Sequence, residues 1–384
     1  MKITDSLFSD MPVLPVLSSE AVQTYSHWTN KLLEVVSNLL GRHPDVVGIT
    51  PVITAAALRI RHQQHAKIVA NMIRINDLGM IMWATLRQYE VNKELGLSGD
   101  YFSAELDVWR TAISTCLDHS NYRKELLAFY NWLATCRERV RNSAATWKDF
   151  PFPERGNTEE LQQLFLALLL MGDYQGGLNF GKRLIQNVDD LKFFNIKVIW
   201  PVLYRTGMLW QAGQFSIADG HQTTYLVRRI VQVQQDRFVI RHLVKGRAVV
   251  ATAANENHEV GAQMVADFLE MEGWDVTYLG ANIPGWVLLD TIKQNKPFLL
   301  ALSVALDTNI MKIQELITVI RCDEEIRDVK IMVGGNAFNC APLAWKRTGA
   351  DGFAADAGSA TKIINDWWQS RKNSTSKNRN GTIL

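Results

Sequence analysis

The sequence has few cysteines and no long hydrophobic run. Its 384 residues include four cysteines, none in the C-x-x-C spacing typical of metal or redox sites. They are Cys116, Cys136, Cys322 and Cys340. This usage indicates free thiols in a reducing compartment. The longest apolar run, Leu164 to Met171, is far shorter than the roughly 20 residues that span a bilayer. No charged start leads into an apolar segment, so we expect a cytoplasmic protein without a secretory signal.

The sequence also lacks an excess of charge of either sign. The chain carries 41 Lys and Arg against 39 Asp and Glu, a formal charge of +2. A dedicated nucleic-acid binder relies on a basic excess, so we predict no DNA partner. Apolar residues make up 47% of the chain, which excludes a largely disordered protein. We therefore expect soluble folded domains and no membrane partner.

Residues 1–150 predict an all-helical domain. Ser18 or Ser19 can cap a helix whose apolar residues recur at helical spacing as far as Leu40. The next stretch, 52–95, predicts two or three helices. Two more are expected near 103–117 and 122–147. The length and helical character are compatible with a globin-like sensory domain, which is an analogy of fold only.

A linker rich in proline and charge, 148–157, leads to a second helical region. Four helices are predicted between Thr158 and Arg237, with breaks at Gly172-Asp173, at 187–190 and at 213–216. Short connections between four helices are typical of an antiparallel bundle. We take 151–238 as a four-helix bundle.

The pattern changes at Lys245, where short apolar segments begin to alternate with helical ones. Strands are predicted at 248–254, 276–279, 299–306, 330–333 and 351–355, with helices at 261–271, 287–293 and 310–320 between them. Such alternation predicts a doubly wound parallel sheet covered on both faces. We assign the α/β domain to 239–369 and expect a disordered tail over 370–384, where Ser, Asn and basic residues replace the apolar period.

Ligands of open parallel sheets bind at the carboxyl ends of the strands, so the loop after the first strand is a candidate site. It contains Glu256, His258 and Gly261. A carboxylate that holds one imidazole nitrogen leaves the other as a lone-pair donor to a metal. Glycine lets a bulky ligand approach the backbone. The alternative is a solvated loop histidine.

Small residues at two neighbouring strand ends extend this site. Ser303 lies near the end of the predicted third strand, which runs to Leu306, and Gly334-Gly335 ends the fourth. Such residues leave room for a slot that runs down into the domain. A plain tight turn is the alternative for the two glycines.

Together these residues resemble a cobalamin-binding domain. The family signature Asp/Glu-x-His-x-x-Gly is matched by Glu256, His258 and Gly261, the strand serine by Ser303 and the glycine pair by Gly334-Gly335. Tyr278 to Pro284 resembles the family's second strand and turn. The resemblance implies a flavodoxin-like domain that holds cobalamin with its base off. His258 would be the lower cobalt ligand, Glu256 would orient it, and the nucleotide tail would enter the slot, with Leu306 beside the cofactor.

The helical region before this domain resembles the cap of CarH-type light-sensing regulators. In that family a Trp is followed by nine residues and then Glu-His, and these residues cover the upper face of cobalamin. Trp210 and His221 match this pattern. Gly220 replaces the glutamate, and Gln211 replaces a histidine that ligates cobalt after photolysis. The alternative for Trp210 is an aromatic side chain of the bundle core.

The N-terminal domain offers its own ligand candidates. Arg61, His62 and His65 fall within about one helical turn and could hold the propionates or the axial ligand of a tetrapyrrole. The other candidates are His43, His119, Cys116 and Cys136. The alternative is a solvated polar face. The layout of the whole chain resembles that of photocobilins, which implies biliverdin as a second chromophore.

Three functions follow from these patterns. The first is a light sensor that binds adenosylcobalamin, is not an enzyme, and changes conformation or oligomeric state when light cleaves the cobalt–carbon bond. A homo-oligomer with light-dependent assembly and an unidentified downstream protein would be its partners. The second is a corrinoid carrier in methyl transfer, and the third is an interaction module that binds no cofactor.

Overall fold

The computed structural model describes residues 11–42, 55–117, 122–142, 152–238 and 245–380. The chain divides into two compact units. The first consists of Met1–Phe180 and Pro201–Ile230, and the second of Gly181–Trp200 and Val231–Leu384. The residues of the predicted four-helix bundle are therefore shared between the units. The predicted boundaries at 150 and 239 fall on residues outside the described ranges and stay predictions.

Helices make up the described chain as far as residue 235. In order they are α1 (Ser19–Leu40), α2 (Ala55–Ile75), α3 (Leu78–Glu94), α4 (Gly99–Cys116), α5 (Arg123–Asn142), α6 (Thr158–Leu170), α7 (Tyr174–Leu184), α8 (Val188–Phe193), α9 (Trp200–Gln211) and α10 (Ile217–Gln235). The helical N-terminal region is thus confirmed, while the globin-like arrangement stays a prediction.

The helices begin and end where the sequence chemistry indicates. Ser18 caps α1, since its Oγ accepts a hydrogen bond from the amide of Ala21 at 3.2 Å. The same serine donates from its amide to the Glu125 carboxylate on α5 at 2.7 Å, which ties the two helices together. Asp77 and Ser98 cap α3 and α4 in the same way. Helix α4 begins at Gly99, four residues before the predicted start, because Ser98 supplies this cap.

The predicted long third helix of the bundle is interrupted. Residues Phe194–Ile199, between α8 and α9, form a π-helical turn. Pro201 follows directly in the first turn of α9. Proline lacks an amide hydrogen and its ring crowds the carbonyl four residues earlier, so a wider turn at this point relieves the helix.

The second unit contains a five-stranded parallel sheet. Its strands are β1 (Arg247–Thr252), β2 (Asp275–Gly280), β3 (Leu299–Ser303), β4 (Lys330–Gly334) and β5 (Gly352–Ala354). The helices between and after them are α11 (Val260–Met271), α12 (Gly285–Asn295), α13 (Ile310–Cys322), α14 (Asn336–Cys340), α15 (Trp345–Thr348) and α16 (Ala357–Asn380). The strand order is β2-β1-β3-β4-β5 and every pairing is parallel, which confirms the flavodoxin-like prediction.

The two faces of the sheet bury side chains of different size. One face packs Val249, Leu302 and Val333 against leucine and isoleucine side chains of α12 and α13. The other face carries smaller residues, Ala248 and Ala301 among them, against alanines of α11 and α16. Larger side chains, Trp274 and Leu299 among them, complete the core of this second face.

Two further predicted boundaries are wrong. Strand β3 ends at Ser303 and not at Leu306, because the amides of Ala305 and Leu306 turn away to a buried carboxylate described below. Helix α16 extends to Asn380, where the sequence predicted disorder from Ser370. Its packed first half, which includes the buried Ile364, provides the nucleus, and adding turns to an existing helix costs little. Residues 381–384 lie outside the described residues.

Within the described ranges, no helix is both long and apolar enough to cross a membrane.

One buried acid makes the second unit sensitive to pH. Asp267 on α11 is 8% exposed, and one of its carboxylate oxygens has no hydrogen-bond partner among the described residues. Burial raises its pKa from 3.8 to about 7, against the opposing effect of a hydrogen bond from Gln235. The folded protein holds this proton more tightly than the unfolded chain does. The contribution to stability is therefore full below about pH 4 and is lost as the pH rises to about 7.

We expect Asp267→Asn to stabilise the protein by about 3 kcal/mol at pH 8 and by much less at pH 4.5. Urea unfolding at the two pH values measures this difference. The exposed Asp290→Asn on α12 is the matched control. An equal effect of Asp267→Asn at both pH values would contradict the prediction.

Candidate functional site

The loop after β1 holds a histidine against a buried carboxylate. His258 Nδ1 lies 2.5 Å from Glu256 Oε1, and the amide of His258 donates to the same oxygen at 3.1 Å. The His258 side chain is 62% exposed, whereas that of Glu256 is fully buried. The imidazole is thus held from behind while most of it faces solvent.

The second oxygen of Glu256 is bound by the neighbouring loop, which follows β3. Glu256 Oε2 accepts hydrogen bonds from the amides of Ala305 and Leu306 at 2.9 and 3.0 Å and from Asn309 Nδ2 at 3.2 Å. Both oxygens of the carboxylate are therefore satisfied by donors that have fixed positions. Such a group is a rigid anchor for the imidazole.

These contacts determine the protonation of the pair. Burial alone would raise the pKa of Glu256, but the hydrogen bonds from His258 and from the backbone amides outweigh it and bring the pKa to about 2. The hydrogen bond to Glu256 raises the pKa of His258. In neutral His258 the proton stays on Nδ1, which faces the carboxylate. The lone pair is then on Nε2, the form in which imidazole binds a metal.

Two further side chains shape the loop, and the sequence analysis missed both. Thr252 Oγ1 donates to the carbonyl of Glu256 at 2.8 Å and accepts from the amide of Asn282 at 2.9 Å. Asn282 Oδ1 in turn accepts from the amide of Asn255 at 2.7 Å. Both asparagines have positive φ, 55° and 62°, a conformation that Asn tolerates better than most residues. The one sequence signal for these contacts is an asparagine shortly after the end of β1 and another shortly after the end of β2.

A slot opens beside this loop on the face of the sheet that carries small side chains. Gly261, Ser303, Gly334 and Gly335 line it. Alanines from the strands and from α11 and α16 form much of the remaining wall. They are Ala262, Ala301, Ala354, Ala355, Ala357 and Ala360. The structure therefore brings together the four slot residues that the sequence predicted.

The three glycines serve different purposes. A Cβ at Gly334 would lie 2.8 Å from the carbonyl oxygen of Ala354, and one at Gly335, where φ is +99°, would lie 2.3 Å from that of Val304. The backbone itself requires these two glycines. A Cβ at Gly261 would make an ordinary contact of 3.5 Å with Ser303 Oγ. Gly261 is thus needed to keep the slot open and not to fold the chain.

The comparison with known families bears on this second unit. A family model described as B12 binding domain matches residues 246–363. Residues 246–363 form a B12-binding domain.

Several proteins resemble the chain over part of its length. Trimethylamine corrinoid protein 1 of Methanosarcina acetivorans is 32% identical over 125 residues, 31% of this chain and 53% of that protein. The HTH-type transcriptional repressor CarH of Myxococcus xanthus is 28% identical over 148 residues, 38% of this chain and 48% of that protein. The chain thus spans about half the length of each of these two curated relatives. Among solved structures, the Methanosarcina barkeri monomethylamine corrinoid protein covers 54% of this chain and 98% of its own at 17% identity, with a TM-score of 0.46.

The residues of the B12-binding domain fit the group that this family name implies. Cobalt accepts an imidazole nitrogen, and a carboxylate behind the ring raises its basicity. His258 and Glu256 provide this pair. The slot next to them is mainly apolar, with glycine and alanine among its lining residues, which suits an organic group better than an ion.

The predicted upper-face residues lie elsewhere in the chain. Trp210 on α9 is 51% exposed, and His221 on α10 is also exposed. Both belong to the first unit. The alternative that Trp210 is a core aromatic is therefore wrong, while its role toward a cofactor stays a prediction. At Gly220, the departure from the light-sensor pattern, an added Cβ would have no described atom within 4 Å, so a side chain would fit there.

The three candidates on α2 are not on the surface. Arg61, His62 and His65 are 4%, 3% and 0% exposed, so the alternative of a solvated polar face is wrong. His62 Nε2 lies 3.0 Å from the hydroxyl of Tyr101. Cys136 is buried and Cys116 is partly exposed, and both are free thiols. His43 and His119 lie outside the described residues.

The Glu256 anchor generates a testable prediction. Glu256→Gln replaces an acceptor by an amide whose NH₂ must face a donor, either His258 Nδ1 or the amides of Ala305 and Leu306. We expect a loss of about 2–3 kcal/mol in the free energy of unfolding and a 10–100-fold weaker affinity for cobalamin. Chemical denaturation of the cofactor-free protein and a cobalamin titration measure the two effects.

Glu315→Gln on α13 is the matched control, because Glu315 is exposed. We expect it to change neither quantity. A Glu256→Gln protein as stable as this control would show that the buried carboxylate does not anchor the loop.

Proposed function

We propose that the chain is a cobalamin-dependent light sensor that binds adenosylcobalamin through His258. The observation that carries the cofactor assignment is the Glu256–His258 pair beside a slot lined by glycine and alanine. His258 offers a lone pair on Nε2, and Glu256 holds the Nδ1 proton and the ring orientation. The small residues of the slot, Gly261, Ser303, Gly334 and Gly335, leave room for the nucleotide tail. The amide of Leu306 donates a hydrogen bond to the Glu256 carboxylate.

When bound, cobalamin supplies a cobalt–carbon bond that light or a nucleophile can cleave. The chain's own residues bind and orient. Ala305, Leu306 and Asn309 keep the charge on Glu256, and Glu256 keeps His258 from rotating. The apolar side chains of the slot favour an apolar group over water.

Light sensing is favoured over methyl transfer by the helical residues of the first unit. Trp210 and His221 keep the spacing of CarH-type regulators, and both side chains are exposed instead of buried in a helical core. The similarity to the CarH repressor over 38% of the chain supports the same proposal. We propose a homo-oligomer whose assembly depends on light and which acts on a downstream protein, in the cytoplasm and without DNA or membrane as a partner.

A corrinoid carrier in methyl transfer is the second candidate. The observation that favours it is the 32% identity to a trimethylamine corrinoid protein over 125 residues. A carrier would use the same His258 and the same slot but would present its cofactor to a methyltransferase. In a carrier, light would change the cofactor but would not change the conformation or the oligomeric state of the protein.

Biliverdin belongs to this proposal as a second chromophore of the sensor. The candidate residues Arg61, His62 and His65 are buried in the N-terminal helices. A long-wavelength absorption band that the purified chain retains after biliverdin is added and the excess removed would support it. Loss of all colour on gel filtration would contradict it.

The slot assignment predicts a selective effect of Gly261→Leu. The backbone tolerates a Cβ at this position, so we expect the stability of the cofactor-free protein to be unchanged within about 0.5 kcal/mol. The larger side chain fills the slot, and we expect cobalamin to bind at least tenfold more weakly. Cobinamide, which lacks the nucleotide tail, should lose little affinity. Equal losses for the two ligands would place the nucleotide tail elsewhere.

The light response needs a readout on the protein, because alkylcobalamins are cleaved by light even when they are free in solution. We expect the full chain, loaded with adenosylcobalamin in the dark, to change its mass by light scattering and its amide hydrogen exchange after green light. His258→Ala should lose the histidine-bound absorption spectrum. Trp210→Ala should keep the cofactor and lose the response of the protein, and the exposed Trp28→Ala on α1 is its control.

Two outcomes would contradict the sensor. Cobalamin that stays bound while mass and hydrogen exchange are the same in the dark and after light would leave the carrier as the better account. A chain that retains no cobalamin would contradict both functions and support an interaction module.

A further inference from the structure

The core of the N-terminal helices contains a cluster of polar side chains that the cobalamin site does not use. The cluster draws on four helices, α2 to α5, and each member is at most 4% exposed. Its members are Arg61, His65, Gln88, Asn92, Glu105 and Arg137. On α2 and on α3 the members are four residues apart, so each pair lies on one helix face.

Arg137 is the centre of the cluster. Its Nη1 donates to Glu105 Oε2 at 2.8 Å, and its Nη2 donates to His65 Nδ1 at 2.9 Å and to Gln88 Oε1 at 3.1 Å. Arg61 Nε donates to Asn92 Oδ1 at 2.8 Å. Because a guanidinium group can only donate, these contacts fix the orientation of every partner.

The fixed orientations leave an excess of donors. The oxygens of Gln88 and Asn92 face the two arginines, so their NH₂ groups face away, and neutral His65 carries its proton on Nε2. Five buried donor atoms therefore have no hydrogen-bond partner among the described residues. They are Arg61 Nη2, His65 Nε2, Gln88 Nε2, Asn92 Nδ2 and Arg137 Nε. Only one acceptor atom of the cluster, Glu105 Oε1, has no hydrogen-bond partner among the described residues.

The cluster also carries more positive than negative charge. Arg61 and Arg137 are positive and Glu105 is negative. Burial lowers the pKa of His65 to about 3, although Glu105 opposes the shift, so this ring is neutral. One positive charge is left without a counter-charge within the cluster. A water molecule can accept hydrogen bonds from two of these donors, but it carries no charge, so the excess positive charge would remain.

We propose that this cluster binds a small monovalent anion, a carboxylate or an inorganic ion of similar size. An acceptor-only ligand pairs with the unpartnered donors and neutralises the remaining charge. The cluster lies outside the B12-binding domain, so this proposal does not depend on the cobalamin assignment, but it competes with biliverdin for Arg61 and His65. It assigns to the N-terminal helices a ligand-binding role of their own.

The experiment uses the full chain at constant ionic strength, with gluconate as a bulky anion that is progressively replaced by acetate, chloride or nitrate. We expect saturable slowing of amide hydrogen exchange in α2 to α5 and none in α11 to α13. The unfolding temperature should rise by about 5 °C when the anion reaches roughly a hundredfold excess over its Kd. Saturation by acetate would identify a carboxylate site, and saturation by chloride or nitrate alone would identify an inorganic one.

Two substitutions that change the charge of the cluster in opposite directions test the proposal. Arg61→Gln removes a donor and the excess charge, and we expect at least tenfold weaker anion binding. Arg59→Gln, on an exposed position of the same helix, is the control and should bind as the wild type does. Glu105→Gln removes the negative charge and should tighten binding severalfold.

Several results would overturn the proposal. One is hydrogen exchange in α2 to α5 that is the same in gluconate and in the three smaller anions. Another is equal anion affinity of Arg61→Gln and Arg59→Gln. If Arg61→Gln does not fold, a Glu105→Gln protein that binds the anion no more tightly than the wild type would refute it.

Discussion

The arrangement of the B12-binding domain depends on one buried carboxylate. A fully buried, ionised Glu256 is costly unless each oxygen is matched by donors, and the chain supplies them from two loops. Strand β3 ends at Ser303, and the next residues turn so that the amides of Ala305 and Leu306 reach the carboxylate. The same carboxylate holds the imidazole of His258. The neighbouring loops after β1 and β3 are thus joined at the point where the histidine is presented.

A second constraint is the difference between the side chains at the strand ends on the two faces of the sheet. Large aliphatic residues such as Leu302 and Val333 fill the face toward α12 and α13. Alanine and glycine on the face toward α11 and α16 leave a slot that remains open because Gly261 has no side chain. Both faces have a buried apolar core, and the slot opens on the second. A single sheet can therefore be both well packed and able to accept an elongated group.

The sequence predicts this domain well, because its signals are local. Apolar runs separated by helical periods predict the alternating strands and helices, and a histidine two residues after a glutamate indicates the pair. The donors from Ala305 and Leu306 could not be predicted, because backbone amides have no signature in side-chain chemistry. Their turn is also why β3 is shorter than its apolar run indicates.

Less of the structure of the N-terminal helices could be predicted from the sequence. Periodicity shows that Arg61 and His65 share a helix face, but polar residues give no sign of whether that face is exposed or buried. Their partners, Glu105 and Arg137, come from helices distant in sequence, and only the fold brings them together.

The central claim is that His258 provides the axial nitrogen of a bound cobalamin. The most direct measurement is the electron paramagnetic resonance spectrum of the protein loaded with cob(II)alamin, after growth with histidine labelled with nitrogen-15. Coupling to one axial nitrogen-14 splits each cobalt line into a triplet, and coupling to nitrogen-15 gives a doublet. We predict doublets in the labelled wild-type protein. Triplets that persist despite the label would show that the axial nitrogen comes from the cofactor's own base, and would contradict the account.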